Sequence, residues 1–468
     1  KKQTKKINFV PWYDFIFAVV GSMPYFYYAY NFTAITNRAA LLNTADKVMA
    51  IIGILFLFEL CRRAVGLPIL FVAGGFIAYA FIYGKALQSV LYNLFYTTNG
   101  ILGTPLNVCS TFIVFFIILG AFLEKTGIGG FFVDLANSVA GYASGGPAKV
   151  AVISSALEGM YSGSSVANTV GSGSVTIPVM KSIGYKPEFA AAVEAAASTG
   201  GQIMPPIMGA AAFIMAQLIG VNYIQIAKAA IVPALLYYLS TFLSIHLVSV
   251  RDGIKGSNEK PTIKVGDYLI ILVPLVIFIG FLLAGYTVLI GAFYATIGAL
   301  AMYVVRFIVS TKGDVKAVAK DTGKVCYNTV INGTNSIIDM CGILAGSQIT
   351  VSLINLTGFG VKLSDVIVSI GQGNMFLCLL CSMLVCIILG MGLPTTAAYV
   401  LGAAVLAPPL ITLGLSPLVA HLFVMYYACL SAITPPVCVA VFMASGLAKA
   451  RWFRVGVISC MIALPAFI

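Results

Sequence analysis

"TGGQIMPPIMG", Thr199 to Gly209, places two glycines and two adjacent prolines inside a long apolar run. A proline in a helix interior costs roughly 3 kcal/mol relative to alanine, because it removes an N–H and crowds the preceding turn. A buried segment should avoid such a pair unless its backbone is meant to break there. The surroundings of the break are membrane-like. The chain has 468 residues, 60% hydrophobic and 9% charged, with a mean hydropathy of +1.01. A soluble domain carries about 25% charged residues. Apolar runs long enough to cross a bilayer recur along the whole length. They are continuous rather than alternating, which favours helices over a barrel. The fold class is therefore an all-α polytopic membrane protein.

The net charge of +12 comes from short basic clusters: Lys1, Lys2, Lys5, Lys6; Arg62, Arg63; Arg251, Lys255, Lys260, Lys264; Lys312 to Lys324; Lys449, Arg451, Arg454. Scattered clusters between spans suit the positive bias of cytoplasmic loops beside lipid, not a groove for nucleic acid. The ten cysteines fall almost all in apolar runs. Cys378 and Cys381 form a CxxC without a second pair, and packing is the expected role. His246 and His421 are the only histidines, and no HExxH, Walker loop, GxSxG or zinc spacing occurs. An intramembrane enzyme, the first rival class, thus lacks its catalytic parts. The chain starts at Lys1 without Met and stops after "VGVISCMIALPAFI", so the gene product is expected to be longer at both ends.

The proline pair recurs. "GGQIMPPIMGA" (200–210) resembles "LSAITPPVCVA" (430–440), with Pro205 and Pro206 matching Pro435 and Pro436 at an offset of 230. At that offset Pro187 meets Pro417, Gly184 meets Gly414, and Pro178 meets Pro408. Thr126-Gly127 meets Thr357-Gly358 at 231. All four prolines of 162–210 land on prolines, which indicates duplication. In each copy an apolar helix enters a small-residue tract, "MYSGSSVANTVGSGSVTIP" (160–178) or "GMGLPTTAAYVLGAAVLAPP" (390–409), and a broken PP segment follows. Irregular backbone at membrane depth is tolerated only where protein or a water-filled cavity surrounds it. Matching interrupted segments in two halves point to a midplane binding site. A passive channel, the second rival, has no need of duplicated discontinuous helices.

The expected organisation is a small helical N-terminal domain, 1–95, joined to a larger core. The core comprises a first repeat, 96–250, with a re-entrant hairpin at 161–183 and a broken helix at 187–221. A linker with scaffold helices follows at 251–324. The second repeat, 325–468, has a hairpin at 391–413 and a broken helix at 433–449.

A broken helix exposes N–H groups at its new N-terminus, which favour a carboxylate, and carbonyls at its new C-terminus. Those carbonyls, helped by hydroxyls, suit a hard cation such as Na⁺. The candidates in the first copy are Ser162, Gly163, Ser164, Ser165, Asn168 and Thr169, with Thr199, Gly200, Gly201, Pro205 and Pro206 at the PP break. In the second copy they are Gly392, Pro394, Thr395 and Thr396, with Thr434, Pro435 and Pro436. Close helix packing is the competing use of such small residues. Glu158, Glu194 and Asp339 lie within apolar sequence, where an acid is expensive and functional by default. They are candidates for holding a proton or a cation. No organic cofactor is expected.

"SGSSVANTVGSGSVTIPVMKSIGY", "EAAASTGGQIMPPIMGAAAFIMA" and "GMGLPTTAAYVLGAAVLAPPL" resemble the large membrane subunit of tripartite ATP-independent periplasmic (TRAP) transporters. The likeness covers roughly residues 100–450, and "STGGQIMPP" looks closest to the fused permeases of the TAXI subfamily. The resemblance implies an inverted-repeat, elevator-type core of the ion-transporter superfamily in the bacterial inner membrane. It implies a periplasmic TAXI-type binding protein as partner, and secondary active uptake of an organic acid such as 2-oxoglutarate. It places the hairpin tips at Ser162 to Thr169 and Gly392 to Thr396. Sodium coupling is usual in the family. Glu194 departs from the apolar residue common at its place in the broader family, so proton coupling stands beside sodium coupling.

Overall fold

The computed structural model describes residues 11–38, 41–64, 66–256, 265–310, 315–372 and 374–467. Lys1, Lys2, Lys5, Lys6, Lys260, Lys264 and Lys312 lie outside the described residues. Among the described residues every regular element is helical. In chain order these are α1 (Trp12–Arg38), α2 (Thr44–Ala64), α3 (Pro68–Ile82), α4 (Leu87–Phe95) and α5 (Thr104–Val108), then, after a π turn, α6 (Val114–Thr126). There follow α7 (Ile128–Ala140), α8 (Gly146–Ser162), α9 (Ser165–Gly171), α10 (Gly173–Ser182), α11 (Pro187–Gly200), α12 (Ala210–Ile219) and α13 (Tyr223–Arg251). The remainder are α14 (Val265–Leu283), α15 (Val288–Ser310), α16 (Val315–Thr357), α17 (Phe359–Gly371), α18 (Met375–Gly390), α19 (Thr395–Thr412), α20 (Pro417–Leu430), α21 (Val439–Ala448) and α22 (Trp452–Ile462). Among the described residues, five stretches are long and apolar enough to cross a membrane, including Tyr223–Arg251 and Val288–Ile308.

The chain forms two compact units. One holds the described residues up to Asn107 together with Asp339–Leu363. Its bounds differ from a cut at 95, because 96–107 and 339–363 are bonded to one another and to the N-terminal helices. Gln348 Nε2 donates to the Asn99 carbonyl at 3.2 Å, and Cys61 Sγ to the Gly342 carbonyl at 3.0 Å. Asp46 organises the start of α2. Its backbone N–H donates to Asn43 Oδ1 at 2.7 Å while its carboxylate accepts from the Asn43 N–H at 3.0 Å, a reciprocal cap. The same buried carboxylate accepts from Arg38 at 3.0 Å and from Tyr27 at 2.8 Å, which ties α1 to α2. Asp46→Ala removes the cap and a charged bond together, and should cost about 3 kcal/mol. The check is the thermal melting midpoint of the detergent-purified protein, and an unchanged midpoint would contradict this role.

The second unit holds Val108–Ile338 and Ser364–Ile468. The basic cluster Lys312 to Lys324, which its charge places between spans, is helical from Val315 onward and opens a 43-residue helix. Lys316, Lys320 and Lys324 recur every four residues and so share one helix face, a spacing by which charge does not mark a break. Tyr303 OH donates to Asp321 at 2.6 Å and joins α15 to that segment.

The duplication is visible in the elements. α7 and α17 are both 13 residues, α11 and α20 both 14, and α12 and α21 both 10. The second broken helix thus has arms Pro417–Leu430 and Val439–Ala448, and 433–449 holds its break and second arm. Left-handed glycines recur in matching places: Gly127 and Gly358, Gly163 and Gly392, Gly184 and Gly414.

Candidate functional site

Each copy contains a helix–break–helix pair whose arms pack against each other, α8 on α9 and α10, and α18 on α19. Ser162, Gly163 and Ser164 form the first turn-round, and Met391 to Pro394 the second. The tip glycines have φ of 59° (Gly163) and 79° (Gly392), a conformation that L side chains rarely adopt. Each copy also contains a helix interrupted at the proline pair: α11 to α12 around Gly201–Gly209, and α20 to α21 around Ser431–Cys438. Both pairs, Pro205-Pro206 and Pro435-Pro436, carry a cis bond.

The tips and breaks meet in the same way twice. A Cβ on Gly163 would lie 2.2 Å from the Met208 carbonyl oxygen, just past the first proline pair. In the second copy the Gly392 N–H donates to the Val437 carbonyl at 3.0 Å. Just before the tips, a Cβ on Gly159 would lie 2.3 Å from Gly201 Cα, and a Cβ on Gly390 would lie 2.4 Å from Ser431 Oγ. The two copies also interlock. α9 and α10 pack on α21, while α12 packs on α19. Cys429 Sγ donates to Gln202 Oε1 at 3.6 Å and links the end of α20 to the first break.

The sequence-predicted residues fall as follows. Ser165, Asn168 and Thr169 are buried in α9, and Thr396 is buried in the first turn of α19. Ser164 Oγ caps α9 by accepting from the Ala167 N–H at 3.3 Å. Asn168 Nδ2 donates to the Ser155 carbonyl at 2.8 Å and binds the first tip to α8. Thr199 Oγ1 donates back to the Ala195 carbonyl at 2.8 Å and Thr434 Oγ1 to the Leu430 carbonyl at 2.9 Å, so both hydroxyls serve helix ends. Gly200 and Gly201 are buried, and Pro205, Pro206, Pro394, Thr395, Pro435 and Pro436 keep some exposure. Glu158 and Glu194 are buried beside the first break. Asp339 is exposed on α16 within the N-terminal unit, and is not among the residues these breaks bring together.

Sequence reasoning missed the surroundings of Glu194. Its Oε1 accepts from Ser172 Oγ at 2.5 Å, Ser198 Oγ at 3.2 Å and Ser155 Oγ at 3.3 Å, and its Oε2 accepts from Thr176 Oγ1. The four-residue spacings Ser172–Thr176 and Glu194–Ser198 were the available signal, since they place each pair on one helix face. Tyr223 was also missed. Its hydroxyl donates to the Ile207 and Pro206 carbonyls and fixes the first break.

Two features mark the breaks. α12, α19 and α21 begin there without a side-chain cap, while the Ala212 N–H of α12 donates to the Gly209 carbonyl at 3.0 Å and the Ala440 N–H of α21 to the Ala432 carbonyl at 3.2 Å. Ser162 Oγ and Thr169 Oγ1 are buried and have no hydrogen-bond partner among the described residues. Buried hydroxyls are normally bonded, and these two orphans lie at the first tip, which makes them candidate ligands there. Uncapped N–H groups suit an anion, and orphan oxygens suit a cation.

These features define a multi-pass membrane protein whose discontinuous helices were duplicated. Residues 52–468 match the family described as "Tripartite ATP-independent periplasmic transporter, DctM component", and the chain belongs to that family. Relatives include the C4-dicarboxylate TRAP transporter large permease protein DctM of Vibrio cholerae, 24% identical over 435 residues, covering 86% of this chain and 91% of that one. The 2,3-diketo-L-gulonate TRAP transporter large permease protein YiaN of Escherichia coli is 23% identical, covering 73% of this chain and 78% of its own. The isethionate TRAP transporter permease protein DctMQ of Oleidesulfovibrio alaskensis is 23% identical, covering 72% of this chain and 52% of its own. The relatives are named as transporter permeases, not enzymes.

Proposed function

We propose that this chain is a fused TRAP permease of the TAXI type in the bacterial inner membrane. It imports an organic acid, 2-oxoglutarate or a related carboxylate, delivered by a periplasmic TAXI-type binding protein. A Na⁺ or H⁺ gradient drives the import. The two helix–break–helix pairs are re-entrant hairpins of an inverted repeat, and they move with the solute as the carrier part of an elevator. The observation that carries this reading is the reciprocal crossing of the two copies, with uncapped helix N-termini and orphan hydroxyls at the crossings.

The relatives' printed names support the solute class, since C4-dicarboxylate, isethionate and 2,3-diketo-L-gulonate are all small organic anions. The first-turn N–H groups of α12, α19 and α21 would hold the carboxylate. Ser162 and Thr169 oxygens, with carbonyls of the first tip, would hold a sodium ion. The TAXI assignment rests on the "STGGQIMPP" tract, and the fused assignment on α1, which precedes the matched segment.

The test is reconstitution in liposomes with the purified binding protein and labelled 2-oxoglutarate. Accumulation above equilibrium under an imposed Na⁺ or pH gradient, and dependent on the binding protein, is the expected result. Equilibration without ion dependence would refute secondary active import.

A further inference from the structure

The two copies differ in chemistry at Glu194. At the offset of 230, Glu194 corresponds to Val424, Ser172 to Gly402, Thr176 to Leu406 and Ser198 to Ala428. The contacts correspond as well. In the second copy a Cβ on Gly402 would lie 2.7 Å from Val424 Cγ1 and 3.5 Å from Cys386 Sγ. The same crossing of helices is therefore closed once by a carboxylate with hydroxyls and once by apolar side chains. Val424, Leu406, Ala428 and Cys386 are all buried, so the apolar version packs well. Packing alone does not call for an acid here.

Glu194 is 0% exposed, and no ion pair involves it among the described residues. A lone buried carboxylate anion is unfavourable unless it takes up a proton or a cation. The hydroxyl oxygens already touch the carboxylate directly, at 2.5 to 3.3 Å for the three serines. A metal ion would have to stand between groups that are in contact. The proton count, by contrast, closes in two ways. With Glu194 ionised, Thr176 and Ser172 donate to it. With a proton on Oε2, the acid donates to Thr176 Oγ1, and the Thr176 hydroxyl turns to the Ser172 carbonyl at 3.1 Å. Ser172 retains an alternative acceptor in the Asn168 carbonyl at 2.8 Å. Only hydroxyl rotation separates the two states.

The neighbouring elements supply few competing charges. Glu158 on α8 and Tyr238 on α13 interact electrostatically with Glu194. α9, α21 and the turn 201–203 contain no titratable residue. Lys181 of α10 donates to the Ala448 carbonyl, Tyr237 of α13 to that of Ala196, and Cys460 of α22 to that of Ile433. His421 of α20 is bonded to Tyr399, Cys429 of α20 to Gln202, and Arg454 of α22 is exposed.

We infer that Glu194 and its hydroxyl ring form a proton-carrying site built into the first repeat alone. The carriage rests on the transport reading above, and the inference names the residue that carries the proton. One proton adds to Oε2 when the site opens to one side and leaves from the same atom on the other. No other reactant is required.

Infrared difference titration of the purified protein tests the proton directly. The wild type should show a protonated-carboxyl band that is lost in Glu194→Gln, retained in Glu158→Gln, and shifted in Thr176→Val. A band unchanged in Glu194→Gln would overturn the proposal. So would a band that Na⁺ abolishes at fixed pH, because the ring would then hold the metal ion. If Glu194→Gln does not fold, an unshifted band in Thr176→Val has the same overturning force. In liposomes with the binding protein, Glu194→Gln should keep 2-oxoglutarate counterflow and lose accumulation driven by a pH gradient; retained pH-driven accumulation would overturn the proposal. If the wild type lacks counterflow while the Glu194 band is present, the transport reading fails, and carriage with it.

Discussion

Gly159→Ala should abolish uptake while the protein still inserts in the membrane. The added methyl group would stand 2.3 Å from Gly201 Cα, a backbone atom at the first break, so α8 and the break must part. Overpacking of this kind typically costs about 1–3 kcal/mol and displaces backbone. A comparable change in the second copy, Gly390→Ala, meets Ser431 Oγ at 2.4 Å, which is a side-chain atom. It should also impair uptake, but Gly390→Ala with Ser431→Gly should recover it. The pair of experiments separates a backbone clash from a side-chain clash at the two breaks. Normal initial uptake by Gly159→Ala would show that close approach of α8 to the break is not needed.

Thr169→Val should produce opposite effects on stability and on transport. The Thr169 hydroxyl is buried without a partner, so its replacement by an isosteric methyl should leave the melting midpoint unchanged or raise it. If that oxygen ligates the coupling ion, the apparent ion affinity should fall by roughly tenfold or more, which corresponds to about 1.4 kcal/mol. Ser382, in the middle of α18, has an equally orphaned hydroxyl and provides the control. Ser382→Ala should match the stability result and leave uptake unchanged. An unchanged ion dependence in Thr169→Val would remove this oxygen from the ion site.

The proline pairs made much of the architecture legible. Proline and glycine act locally, so their offset of 230 survives in the sequence and reappears as helices of equal length around both breaks. The ring around Glu194 was less legible because its hydroxyls come from three segments of chain: Ser155 from α8, Ser172 and Thr176 from the second arm of the hairpin, and Ser198 from α11 itself. Spacing within one helix reveals a shared face but not what that face meets. Asp339 illustrates the converse. Apolar neighbours in sequence mark the depth of a segment but not the direction of a side chain, and Asp339 is exposed. The charged residues after 314 were similarly ambiguous, since charge is compatible with the wet end of a long helix as well as with a loop.

A shared solute site at the breaks is tested most directly by electron cryomicroscopy of the protein in lipid nanodiscs with its binding protein and 2-oxoglutarate. The predicted result is solute density whose carboxylate lies within hydrogen-bonding reach of first-turn N–H groups of α12, α19 or α21. Solute density that touches none of these three helix starts would contradict the assignment.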